Sequence, residues 1–192
     1  MLWPVTQPYF VKLTPFSLIL TLILLGLHHP EKYSWRVGTW AVFVAITGFS
    51  SEVLGVHGGW LFGQYSYPHS LGTQLFGVPL ILGVNWLLLI YVTRDIVQPL
   101  AANAPTKAAL AATLMVGLDT FIEPVAIRNK FWEWPQNIVA SQNYVGWWLV
   151  AFFILLASEF WQVKQENPLS KPVYWALFYF FMAQVLAYSL GF

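Results

Sequence analysis

No cysteine occurs among the 192 residues, which excludes disulfides, thiolate metal sites and a thiol nucleophile. Charge is nearly as scarce, with 9% of residues charged against about 25% in soluble domains. So little charge cannot cover a globular surface, and the 58% hydrophobic and 18% aromatic content points to lipid as the outer solvent. A formal net charge of +1 provides no basic patch to release counterions, so no nucleic-acid partner is expected. Several signatures are also missing: a glycine loop followed by Lys-Ser/Thr, a His-Glu-x-x-His pair and a serine elbow. No apolar run carries a spaced arginine series of the kind that senses voltage.

What is present is a set of long apolar runs. A span of the hydrocarbon layer needs about 20 mostly apolar residues, and six segments fit: Thr14–His28, Val37–Leu54, Gly77–Val92, Thr106–Ala126, Tyr144–Trp161 and Val173–Gly191. Backbone amides in lipid must be satisfied internally, and the runs lack the alternation of a barrel, so all six are expected to be helices. The fold class is all-α, a polytopic bundle of about six transmembrane helices forming a single transmembrane domain over residues 1–192. The Gly- and aromatic-rich connection between the second and third helices is a candidate for re-entry. No small-residue cleavage site follows the first run, so it is expected to stay as a helix. Ala104, Ala108 and Ala112 recur every four residues and allow close helix approach.

Lys32, Arg36, Arg94, Lys107, Lys164 and Lys171 fall in the first, third and fifth connections, whereas Lys12, Arg128 and Lys130 fall on the other side. The bias places the odd connections in the cytoplasm of a multi-pass plasma-membrane protein with both termini outside. Glu52 ends the second span, Asp119 and Glu123 end the fourth, and both ends reach one face. His57, Arg128, Asn129 and Asn143 border that same face. Asp119 and Glu123, four apart, share one helix stripe, and Pro124 is expected to end the helix there, near water.

Carboxylates inside a membrane protein are costly and mark functional sites by default. A carboxylic acid held in an apolar pocket is a good proton donor; the bland alternative has each acid solvated at headgroup level or paired with Arg128. Beside Glu52, four glycines (Gly55, Gly58, Gly59, Gly63) let the backbone bend and aromatic rings lie close to it. Trp60, Phe62, Tyr65 and Tyr67 then offer π faces that can hold a polyene and stabilise a carbocation. Most of the other tryptophans, including Trp3, Trp35, Trp147 and Trp148, read as an interfacial belt. His28 and His29 are adjacent, cannot share a helix face and read as an interfacial pair. His57 and His69 are a weak metal signal, and no metal site is assigned.

Two blocks of residues stand out by their joint spacing. The first is Glu52-x-x-Gly55, Phe62-Gly63-x-Tyr65-x-Tyr67, Leu71-Gly72 and Gly77-Val78-Pro79, with Trp86 and Tyr91 downstream. The second is Asp119-x-x-x-Glu123-Pro124-Val125-Ala126, Trp132-x-Trp134 and Asn143-Tyr144-x-Gly146-Trp147. Together they resemble the CruF-type carotenoid hydratases of carotenoid biosynthesis. The chain departs from the family at Glu123, where Asp is frequent, and at Val139-Ala140-Ser141-Gln142, where a Gly-x-Pro turn often precedes the asparagine. The resemblance implies a hydro-lyase that adds water across the terminal C=C of an acyclic carotenoid end group (1'-hydroxylation by acid-catalysed hydration), giving a tertiary alcohol. For that reaction Glu52, Asp119 and Glu123 are the expected catalytic residues: Glu52 or Asp119 gives the proton, and the other carboxylates, with Asn143, hold the water. His57, Trp60, Phe62, Tyr65, Tyr67, Asn85, Arg128 and Asn143 would bind substrate. No cofactor is expected, and the partners are a lipophilic carotenoid and the bilayer, with a homo-oligomer or association with other carotenoid enzymes compatible. Two other readings stay open: a membrane carotenoid or lycopene-type cyclase, whose ring closure begins with the same protonation, and a small proton-coupled transporter.

Overall fold

Unbroken apolar runs satisfy their backbone in lipid by winding into helices, and six form: α1 (Gln7–Leu27), α2 (Trp35–Gly58), α3 (Ile81–Val97), α4 (Ala104–Arg128), α5 (Ser141–Ser158) and α6 (Ser170–Ser189). The computed structural model describes residues 6–31, 34–164 and 166–191; Trp3 and Lys32 lie outside the described residues. Helices α1, α2, α4 and the run Ser141–Trp161 are each long and apolar enough to cross a membrane. The third apolar segment begins later than its hydropathy suggests. A short hairpin, β1 (Gln74–Leu75) against β2 (Val78–Pro79), takes up Gly77–Pro79. It turns through Phe76 and Gly77, both at positive φ, the geometry that matches the twist of paired strands.

Helix α3 is the centre of the bundle. Of its 17 residues, 14 are buried, as befits a helix apolar on all sides, and the other five helices pack around it. Helix α1 is the opposite case: Phe10, Phe16, Leu20 and Ile23 are all exposed, a surface suited to lipid. Small residues bring α4 close to its neighbours, with Ala108, Ala111 and Ala112 buried. Its start is capped by Asn103, whose side chain accepts from Thr106 N, satisfying one of the donors that open a helix.

Polar contacts gather at the two ends. At one end, Arg94 of α3 pairs with Glu159 at 3.2 Å and donates to the carbonyl of Val163. Asn167 joins that end by donating its backbone N–H to Asp95 Oδ2 and its side-chain amide to the carbonyl of Leu25. The first, third and fifth connections therefore share an end. At the other end the second and fourth connections are stitched by a backbone bridge between Ser66 and Glu133, and Gln7 donates to Asn129.

Pro124 does not end α4. The helix runs one turn further to Arg128, because a proline in a helix costs one backbone donor without forbidding continuation where packing holds both sides. Glu123 is in consequence buried at 3% exposure instead of reaching water.

In the core, Trp40 of α2 donates to Ser158 Oγ of α5 at 2.8 Å, with both residues essentially unexposed. Ser158→Ala leaves the indole N–H unpaired in an apolar setting. It is expected to destabilise the detergent-solubilised protein by about 1–3 kcal/mol, read as a lowered midpoint in thermal or denaturant unfolding.

Candidate active site

Glu52 faces inward from the last turns of α2 and is fully buried. A carboxylate cannot stay there unpaired, and it has three neutral donors. Tyr65 and Tyr67 each donate a hydroxyl hydrogen to Oε2 at 2.7 Å, and Trp86 Nε1 of α3 donates to Oε1 at 2.9 Å. Burial first, and then the Glu52 charge, hold both phenols above the ordinary tyrosine range, so both remain donors at physiological pH.

Glu123 is served in the same way by other elements. Trp132 and Trp134 donate their indole N–H groups to Oε2 at 2.8 and 3.1 Å, and Asn143 Nδ2 at the start of α5 donates to Oε1 at 3.0 Å. The two tryptophans are two residues apart in an extended stretch, which turns both to one side; the backbone of Glu133 between them is pinned to Ser66. Asp119, one turn earlier on α4, differs from both. It is fully buried, yet among the described residues neither oxygen accepts a hydrogen bond; the Asn143 amide, close by, donates to Glu123. Glu52 and Glu123 line one cavity and Asp119 lies one turn from Glu123 on α4, so α2 and α4 do bring their acids together.

Aromatic rings enclose the acids. Trp86 stacks on Trp147 with centroids 4.5 Å apart, and Tyr65 lies 5.0 Å from Trp134. A cavity bounded by Glu52, Tyr65, Tyr67, Glu123, Asn143 and Trp147 leaves about 10 Å³ open to the centre of a water-sized sphere, room for one water. Next to it, sharing Trp132, an apolar cleft runs between α1, α3, α4 and α6 past Leu18, Leu82, Asn85, Ile122 and Phe181.

Two glycines make this closeness possible. A Cβ on Gly55 would collide with the Phe62 ring and come within 2.6 Å of Tyr65 Oη, and one on Gly146 would meet the Phe62 ring and the carbonyl of Leu61. Phe62, itself unexposed, is thus clamped between α2 and α5.

The expected site residues divide clearly. Glu52, Asp119, Glu123, Phe62, Tyr65, Tyr67 and Asn143 come together. His57 does not: α2 continues to Gly58, so five residues turn His57 about 140° away from Glu52. It is exposed, with Nδ1 on the carbonyl of its own Val53. Arg128, five residues after Glu123, is carried off by the same rotation and lies over the Tyr188 ring at 4.0 Å. Trp60 is 65% exposed, and its carbonyl accepts from Gln142. Asn85 lines the apolar cleft and not the acid cavity.

Four tryptophans, Trp86, Trp132, Trp134 and Trp147, are the residues that sequence reasoning assigned no role in the site. Trp86, Trp132 and Trp134 donate to the carboxylates, and Trp147 is 5% exposed against Trp86, not in an interfacial belt. The spacing Trp132-x-Trp134 immediately after the acid-bearing helix was the signal. His29 also departs from expectation: it is buried and bonded to Tyr91 at 2.6 Å, while His28 stays exposed on its own helix. Among the described residues, no three His, Asp or Glu side chains are grouped so as to hold a metal ion.

A family model described as carotenoid biosynthesis protein matches residues 13–192. Among curated proteins the chain is similar to a bisanhydrobacterioruberin hydratase from Haloarcula japonica, at 32% identity over 80% of this chain and 54% of that protein. The chain thus spans about half the length of that curated relative. No solved structure matches.

Gly55→Ala is expected to push the Phe62 ring and the Tyr65 hydroxyl away from α2. The cost is about 1–3 kcal/mol from overpacking, measurable as a lower unfolding midpoint, and the Tyr65–Glu52 hydrogen bond should weaken with it. An unchanged midpoint would show that the close contact around Gly55 carries no strain to relieve.

Proposed function

This chain belongs to the carotenoid biosynthesis protein family, and we propose that it is a hydratase adding water across the terminal C=C of an acyclic carotenoid end group. One observation carries the reading: a cavity sized for one water lies between Glu123, Asn143 and Glu52, one helical turn from an acid, Asp119, whose oxygens accept no hydrogen bond among the described residues. The name of the similar Haloarcula japonica protein, a hydratase, supports it.

The three acids would divide the work by their partners. Glu52 and Glu123 each accept from three neutral donors, an arrangement that suits a carboxylate. Asp119 has no donor among the described residues, and an unpaired buried carboxyl is least costly when it holds its proton. Asp119 gives that proton to the less substituted alkene carbon, and a tertiary cation forms at the other. Glu123 and Asn143 hold the water, whose oxygen bonds to the cation. The proton lost from that water passes to Glu123 and, one turn along the stripe, back to Asp119. Glu52 and the faces of Tyr65, Trp86 and Trp147 offset the positive charge while it lasts. The substrate is neither oxidised nor reduced, so the steps need acids and bases only.

The polyene itself would lie in the apolar cleft that shares Trp132 with the cavity, its end reaching the acids. Ring closure would begin with the same protonation but must keep water from the cation; a water-sized cavity flanked by Glu123 and Asn143 favours hydration. A carrier would be served by acids along a path, whereas these three gather at one end of a bundle plugged by α3. The bias of Lys and Arg toward the opposite end favours a plasma-membrane protein with the acid end outside, along with both termini.

Production of the chain in cells that accumulate an acyclic carotene tests this, with pigments analysed by mass. A gain of one water per reacted end is expected. Asp119→Asn should lower conversion by roughly 10²–10⁴-fold, the usual size of a general-acid contribution, while the protein still elutes as a folded species. Product of unchanged mass with shifted absorbance would point to ring closure instead, and full activity in Asp119→Asn would remove Asp119 as the donor.

A further inference from the structure

At the end opposite the acids, α1, α2 and α3 diverge around a second cavity of about 400 Å³. Its walls are mostly apolar, with Leu22, Val37 and Leu87 among them, and it carries His29, Glu31 and Ser34 at its margin. His29 is 3% exposed, and among the described residues no group pairs with its Nε2.

The hydrogen bonds around His29 decide what Nε2 offers. Asn167 Nδ2 donates both to the carbonyl of Leu25 at 2.7 Å and to Tyr91 Oη at 2.9 Å, while Asn167 Oδ1 accepts from Leu169 N, so the amide orientation is fixed. Tyr91 Oη, already an acceptor, sends its own hydrogen to His29 Nδ1, 2.6 Å away. Desolvation by burial holds His29 below the usual imidazole range, so the ring is neutral and its one N–H sits on Nε2. A buried N–H donor without an acceptor is costly, and here it lies at the polar margin of an otherwise greasy volume.

We propose that this cavity is a second binding site, which takes the neutral hydroxyl end of a long apolar chain. The hydroxyl oxygen accepts from His29 Nε2–H, and its hydrogen goes to Glu31 or Ser34. An anionic headgroup would face the Glu31 charge, and a pure hydrocarbon would leave the imidazole N–H unpaired; an alcohol satisfies both sides. Trp40, in the cavity wall, lies twelve residues before Glu52 on α2, about 18 Å at 1.5 Å per residue. The two sites therefore occupy opposite ends of one bundle, within reach of a single extended polyene. If the hydratase reading holds, an end already hydrated would lodge here while the unreacted end meets Asp119; that link rests on the proposed function, and the binding itself does not.

The test uses the full chain in detergent, with its melting midpoint titrated by an acyclic isoprenoid tertiary alcohol and by the hydrocarbon of the same skeleton. The alcohol should act at about tenfold lower concentration, the worth of one good neutral hydrogen bond. His29→Phe should erase that preference. Gly38→Leu is a second variant that leaves the His29–Tyr91 pair alone: Gly38 lines the cavity and a Cβ there meets nothing within 4 Å, so the leucine should fill the cavity and abolish the alcohol's effect. Asp119→Asn should preserve it. Equal response to both ligands, a preference that survives Gly38→Leu, or one that vanishes in Asp119→Asn would each overturn the proposal. Preferential alcohol binding in a protein that hydrates nothing would sustain this site and remove the hydratase reading, so the two fail separately.

Discussion

Burying carboxyl groups in a lipid-facing bundle is the constraint on which the rest of this structure turns. Glu52 and Glu123 have almost no access to water, and among the described residues their hydrogen-bond partners are neutral. Their oxygens are satisfied instead by six neutral donors, two phenols, three indoles and one amide. That demand explains features that otherwise look unrelated. The loop after α2 must fold back so that Tyr65 and Tyr67 reach Glu52. The loop after α4 must stay extended so that Trp132 and Trp134 point the same way, and the Ser66–Glu133 bridge ties the two loops together. Gly55 and Gly146 must lack side chains so that Phe62 can fill the space between.

Much of this was legible from the residues. In a chain with eight acids, a carboxylate at the end of an apolar run stands out, and odd-even counting of the runs puts Glu52, Asp119 and Glu123 on one face. The six helices follow from length and apolarity alone. Helix ends were not legible, and two site assignments fell with them. His57 was read as a loop residue beside Glu52, but α2 keeps its hydrogen bonds through Gly58, and a continued helix rotates a side chain away by 100° per residue. Arg128 fell for the same reason, carried past Glu123 on a helix that runs through Pro124. Packing energy decides such ends, and packing is not local in sequence.

The tryptophans were illegible for a different reason. In a membrane chain with 11 of them, an interfacial position is the ordinary expectation, and nothing in a single residue's neighbourhood separates an indole that floats at the headgroups from one that donates to a buried acid. The distinction is made by the partner. Trp35 is 73% exposed and fits the belt; Trp86, chemically identical, lies at the centre of the bundle because Glu52 needs its N–H. The same holds for His29, which differs from His28 by one position and about 100° of turn, enough to exchange solvent for the Tyr91–Asn167 chain.

Both ends of the bundle end up governed by one rule, applied with opposite result. At the acid end the protein supplies donors to Glu52 and Glu123, and among the described residues Asp119 is left without one, which is why the proposed reaction begins with its proton. At the other end a string of hydrogen bonds runs from Asn167 through Tyr91 to His29, whose Nε2 has no partner among the described residues. A fully satisfied polar network rigidifies a core and does no chemistry. A group left over is what lets such a network meet a ligand, and α3, buried along nearly its whole length and carrying Trp86 toward one end and Tyr91 toward the other, holds the two networks at a fixed separation.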